Sequence, residues 1–135
     1  RAVRRAVDQR SGDVTILIAP PGVGRYTAEA LRGADYILLV VDSSARGLRG
    51  LRALASLARE SLGHRVGAAL VGEGVHNVEI ETFCRERGLP MLARLANVEA
   101  LRAAWTQGAP LRGTAPDLSG VFTALAERLA EEAAG

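Results

Sequence analysis

Four short apolar runs punctuate the chain: Val14–Ile18, Tyr36–Val41, Val66–Val71 and Leu89–Ala93. Each has strand length and little alternation. That pattern predicts strands buried on both faces, as in a parallel sheet. Between them the apolar positions recur at helical spacing. Leu48, Leu51, Leu54, Ala58 and Leu62 fall on one face of a predicted helix, with Arg49, Arg52, Ser56 and Arg59 elsewhere. Gly63 stands at its C-cap. Val78–Arg87 predicts a helix with Ile80, Phe83 and Cys84 inward, stopped by Gly88. Val98, Leu101 and Trp105 mark another, ended by Gly108. Asp117 is a good N-cap for a last helix carrying Leu118, Val121, Phe122, Leu125 and Leu129. Two short helices are predicted earlier, over Arg1–Gln9 and over Arg25–Leu31. Turn residues separate the elements, at Gly33-Ala34-Asp35, at Gly72-Glu73-Gly74 and from Pro110 to Pro116. Strand and helix alternate four times. The expectation is an α/β fold, a parallel sheet of about four strands with helices on both faces, in three layers.

Composition bounds this picture. A chain of 135 residues, 48% apolar and 24% charged, reads as one soluble α/β domain over residues 1–135. All 17 basic side chains are arginine, which reads as a compositional bias rather than a binding surface. Net charge is +2, and no basic run is interleaved with aromatics, so no specific nucleic-acid binding is expected. Arg1, Arg4, Arg5 and Arg10 leave room only for weak electrostatic contact with nucleic acid or acidic lipid. Cys84 is the sole cysteine, which excludes an internal disulfide and points to a cytoplasmic protein. No apolar stretch approaches the roughly 20 residues of a transmembrane helix. No signal peptide is visible, and an opening arginine suggests a piece of a longer polypeptide.

Two segments could carry chemistry. The first is Pro20-Pro21-Gly22-Val23-Gly24, followed by Arg25. Two prolines fix two φ angles and two glycines free the next positions, just before a helix N-terminus. Its backbone N–H groups could meet an anion; the simpler reading is a tight strand-to-helix connection. The second is Asp42-Ser43-Ser44, at a strand end. An acid and two hydroxyls could hold Mg²⁺ or orient water; more simply they cap the next helix. His64 and His76 lack partners at metal-ligand spacing and read as surface or loop residues. Cys84 reads as an inert buried thiol. Trp105 reads as core or interface packing, and Glu79, Glu81 and Glu86 as a solvated helix face.

The order of these motifs resembles one superfamily. Ile16 to Gly24, then Gly33 to Val41, then Gly47-Leu48 opening a long helix, look like the MinD/ParA deviant-Walker P-loop ATPases. The likeness is greatest to MinD-like members with an inserted ferredoxin domain. Ile80 to Leu92 and Trp105 to Leu111 resemble the later helix-turn-strand and helix end of that superfamily, so the likeness covers residues 1 to about 130. It implies the C-terminal half of such an ATPase, with Pro20–Gly24 and Arg25 as a switch-like loop.

The departures fall on the chemistry. Ile18 stands where the superfamily has its Walker B acid, and Arg25-Tyr26 where ferredoxin-bearing members have Cys-Pro. Val71-Gly72 replace the adenine-reading Asn-Lys, and Leu95-Ala96-Asn97-Val98 replace Ile-Pro-x-Asp. There is no lysine and no Gly-x-x-x-x-Gly-Lys-[Ser/Thr] loop. Each charge-assisted hydrogen bond lost removes about 1.5–3 kcal/mol, and about 1.4 kcal/mol is tenfold in affinity. Millimolar ATP binding or none is therefore expected, with no catalytic residue, no metal and no cofactor for this chain alone. ATP and Mg²⁺ would enter only if another half completed the site.

Three functions follow as expectations: a degenerate, non-hydrolysing module acting through a protein partner or as a homodimer; the C-terminal half of a split, iron-sulfur-associated ATPase; or a Rossmann-like domain binding another small ligand. The resemblance also implies a vacant place beside Val14–Ile18. Either Tyr36–Val41 pairs with that segment, or another polypeptide supplies a strand.

Overall fold

The first helix, α1, runs over Arg25–Leu31 and leads through a turn into strand β1, Ile37–Asp42. The structure, a computed structural model, describes residues 14–96, 98–108 and 116–134. The predicted helix over Arg1–Gln9, Asn97, and most of the Pro110–Pro116 linker lie outside those residues. Helix α2 covers Ala45–Ala55 and continues as a π-helical segment, Ser56–Ser61. Strand β2 (Val66–Val71), helix α3 (Asn77–Glu86), strand β3 (Met91–Leu95), helix α4 (Val98–Gln107) and helix α5 (Pro116–Ala134) complete the order.

The fold is α/β, with a parallel sheet in the order β1-β2-β3. The core forms where one face of β1 and β2 meets α2 and α3. Ile37, Leu39, Val41, Val66, Ala68 and Leu70 pack there with Leu48, Leu51, Ala58, Ile80 and Cys84. The helical spacing anticipated most of this face, Leu48, Leu51, Ala58, Ile80 and Cys84, but not Ala55, and Leu62 lies outside it. On the other side α5 packs on β3, where Arg128 donates to the carbonyl of Met91 (2.7 Å). Arg65 donates to the carbonyls of Glu132 (2.6 Å) and Ala133 (2.7 Å), closing the C-terminal end of that helix.

Five expectations need correction. Among the described residues the sheet has three strands, not four. Val14–Ile18 forms no strand and has no strand partner among the described residues, and it is exposed rather than buried, with Ile16 83% and Ile18 90% accessible. The cause is the missing ladder. A strand is buried only when neighbours take up its N–H and C=O groups, and β1 pairs with β2 alone. So β1 has not moved over to Val14–Ile18. The fourth run shifts by two residues: Leu89 is buried in the helix-to-strand turn, its N–H on the carbonyl of Cys84 (2.8 Å). Trp105 is no core residue, being 84% exposed. Helix α5 begins at Pro116, so Asp117 is its second residue and not the one before it.

Candidate functional site

The C-terminal ends of β1 and β2 are tied together by side chains. The hydroxyl of Ser43 donates to the carbonyl of Val71 at 3.1 Å. The N–H of Gly72 donates to the carbonyl of Leu95 at 2.9 Å, which brings in the end of β3. Gly72 takes φ 97°, a conformation open to glycine and strained for other residues. Asn77 donates through Nδ2 to the carbonyl of Gly72 at 3.2 Å, and its Oδ1 is buried with no partner. Strand ends that converge in this way are where open α/β sheets hold their ligands.

Asp42 and Ser44 serve the start of α2. The carboxylate of Asp42 accepts from the Ser44 backbone N–H at 3.0 Å and from the Ser44 hydroxyl. The Ser44 oxygen in turn accepts from the N–H of Gly47 at 3.0 Å. That is an N-cap. Ser43 points the other way, across the sheet. So the sequence motif divides: Asp42 and Ser44 cap a helix, and Ser43 links two strands.

The other segment sits on its own. Pro20, Pro21, Gly22, Val23, Gly24 and Arg25 are all exposed. Gly22 has φ 94°, and Gly24 is the N-cap of α1 with no side-chain cap bond. One buried group anchors the loop. Thr27, only 3% exposed, donates its hydroxyl to the carbonyl of Pro20 at 3.0 Å. No hydrogen bond or ion pair joins Pro20–Gly24 to Asp42-Ser43-Ser44 among the described residues.

No family model, no curated protein and no solved structure matches the chain.

Thr27 and Asn77 were missed in the sequence. A hydroxyl three residues after the N-cap can turn back onto the loop, which is the signal Thr27 offered. Asn77 opens α3, and its amide could have been read as closing the Gly72–Gly74 turn. Of the histidines, His76 pairs through Nδ1 with Glu79 Oε1 at 3.1 Å. Glu81 pairs with Arg94, so the acidic face of α3 is engaged rather than only solvated. Cys84 is buried, and burial is the first cause that pushes its thiol up, with Glu81 adding to it. That leaves it a poor nucleophile. Among the described residues no group of three or more His, Cys, Asp and Glu could hold a metal ion. Nor is any helix among them long and apolar enough to cross a membrane.

Proposed function

We propose that this chain is a degenerate, non-hydrolysing module of the MinD/ParA type that works through protein contacts. One observation carries the reading. The most apolar loop-proximal segment, Val14–Ile18, lies unpaired and exposed, directly before the switch-like Pro20–Gly24 loop. Burying a Val or Ile side chain stabilises by about 1.5–3 kcal/mol. A partner that covers Val14, Ile16 and Ile18 therefore gains several kcal/mol. The outer edge of β1, unpaired among the described residues, adds backbone groups in need of partners.

The chemistry of hydrolysis is weakly represented by comparison. Asp42 is committed to capping, Ile18 occupies the position where the superfamily has an acid, and no lysine is present. Phosphoryl transfer depends on positioned charge, and little of it is available here.

Calorimetry with Mg·ATP on the purified chain tests this. The expected result is millimolar affinity or no heat of binding. Micromolar binding would sink the proposal. The free edge of β1 also favours a second reading, the C-terminal half of a split iron-sulfur-associated ATPase. Mixing with a separately expressed half that bears a phosphate loop separates the two. Restored phosphate release selects the split enzyme, and its absence leaves the protein-contact module.

A further inference from the structure

At the opposite end of the sheet from the strand-end site, a cavity of about 270 Å³ is lined by Ala55, Arg59, Glu60, Arg87 and Leu89. Topology sets this position. Helix α2 starts where β1 ends, so its π-helical continuation finishes near the start of β2, and Leu89 precedes β3. The wider turn is visible in the backbone. Leu62 N–H reaches back to Leu57 (3.1 Å), and His64 N–H to Ala58 (2.9 Å). Segments of this kind are rare and often mark functional sites.

The charged side chains around the cavity are exposed, and Arg87 and Glu60 are paired with each other. Arg87 Nη1 donates to Glu60 Oε1 at 3.1 Å, and Glu60 Oε2 accepts from the Ser56 hydroxyl at 2.9 Å. Both oxygens of the only lining carboxylate are thus engaged. Arg87 also lies over the Phe83 ring at 5.3 Å, and Arg52 at 5.9 Å. Arg59 donates through Nη1 to the carbonyl of Arg87. It has no carboxylate partner among the described residues, so most of its five N–H donors remain free.

The simplest role of Arg59 is to cap the C-terminal end of α3. One hydrogen bond suffices for that. The helix end contributes about half a negative charge, against the two lining guanidiniums and one carboxylate. An excess of positive charge remains, beside an apolar floor of Ala55 and Leu89.

We propose that this cavity binds a small organic oxyanion, a phosphate monoester or a carboxylate, with Arg59 as the principal ligand. Arg87 supplies a second positive charge, oriented by Glu60. A planar guanidinium suits such anions because it offers parallel N–H donors. The volume lies just below the roughly 300–1,000 Å³ of typical ligand pockets. That admits a compact organic anion and leaves too little room for a nucleotide.

The test is an NMR titration of the full chain at low salt with two probes, inorganic phosphate and phenyl phosphate. Phenyl phosphate is expected to bind more tightly, because its ring covers Ala55 and Leu89. Arg59→Gln keeps a donor for the Arg87 carbonyl, and is expected to weaken binding about tenfold or more. Glu60→Gln removes the local negative charge and is expected to bind at least as tightly as the parent. Thermal unfolding of both variants checks that they fold. Unchanged binding in Arg59→Gln, shifts that never saturate, or shifts spread over the arginine-rich surface instead of Ala55, Arg59 and Leu89 would each overturn the proposal.

Discussion

The first turn of α2 runs so close to the end of β1 that a Cβ on Gly47 would overlap the carbonyl oxygen of Asp42 and stand 2.7 Å from its Oδ1. Gly50, one turn on, has open space where its Cβ would be. The two glycines therefore predict opposite outcomes for one substitution. In a helix interior Ala is favoured over Gly by about 0.8–1 kcal/mol. Gly50→Ala should stabilise by up to that amount. Gly47→Ala gains the same term but forces strand and helix apart, and overpacking costs about 1–3 kcal/mol. It should be net destabilising. Chemical denaturation of the two variants checks the order, and a stabilised Gly47→Ala would contradict the packing.

Alkaline pH should weaken the fold through two buried acids. Burial pushes the Cys84 thiol up, with Glu81 adding to it. Burial likewise pushes the Tyr36 phenol up, reinforced by Glu132 and opposed by Arg128 and Arg65. Each group holds its proton more firmly folded than unfolded. Their contribution is complete below the unfolded values, about 8.5 for Cys and 10 for Tyr. It is lost as pH rises from there through the higher folded values, because the unfolded chain releases those protons first. The melting temperature should be level near neutrality and fall above about pH 8.5. A Cys84→Ala, Tyr36→Phe variant should fall less steeply between pH 8 and 11. The Tyr36 hydroxyl is buried without a partner, so its removal should cost little at neutral pH. An identical pH slope in the variant would refute the assignment.

Periodicity found α2, α3 and β2 because those elements pack against one another. The apolar stripe Leu48, Leu51, Ala58 is the same set of side chains that fills the core. Glycines at the ends of helical runs marked real stops, with Gly63 at φ 69° and Gly88 at φ 64°. Val14–Ile18 misled because an apolar run records a tendency to be buried, and burial needs a neighbouring strand that these residues do not find among those described. At Trp105 helical spacing gives a face but not what covers it, and its exposure removes the core reading while leaving the interface one. At the site, Asp42 and Ser44 were legible as a cap from their types alone. The turn of Ser43 toward Val71 was not, since a side chain's direction at a strand end depends on its neighbour.

Thr27 should govern the Pro20–Gly24 loop. Its hydroxyl is the buried anchor of an otherwise exposed segment. Thr27→Val keeps the shape and deletes the bond, leaving the Pro20 carbonyl to solvent. The cost should be modest, about 0.5–1.5 kcal/mol. The local effect should be larger. Arg25 is exposed and adjoins the loop, so trypsin reports on its opening. Cleavage after Arg25 should be faster in Thr27→Val than in the parent, while cleavage within α3 at Arg85 should change only in line with global stability. Equal acceleration at both sites would mean that Thr27 supports the whole fold and not this loop.

The Val14–Ile18 segment should matter to association and not to the stability of the single chain. Ile16 and Ile18 are among the most exposed side chains described. Exposed positions away from caps and ion pairs usually change stability by less than about 0.5 kcal/mol. Ile16→Asp and Ile18→Asp should therefore leave the unfolding midpoint in place. Leu39→Ala, in the core on β1, should cost about 2–5 kcal/mol and serves as the contrast. The two aspartates should abolish whatever contact buries the segment, because each would have to be desolvated there without a partner. Sedimentation at rising concentration separates the cases for self-association. If the parent forms dimers and both aspartate variants remain monomeric at equal stability, the segment is the contact. If either aspartate lowers the unfolding midpoint as far as Leu39→Ala does, Val14–Ile18 belongs to the core of the isolated chain, and the protein-contact reading loses its main support.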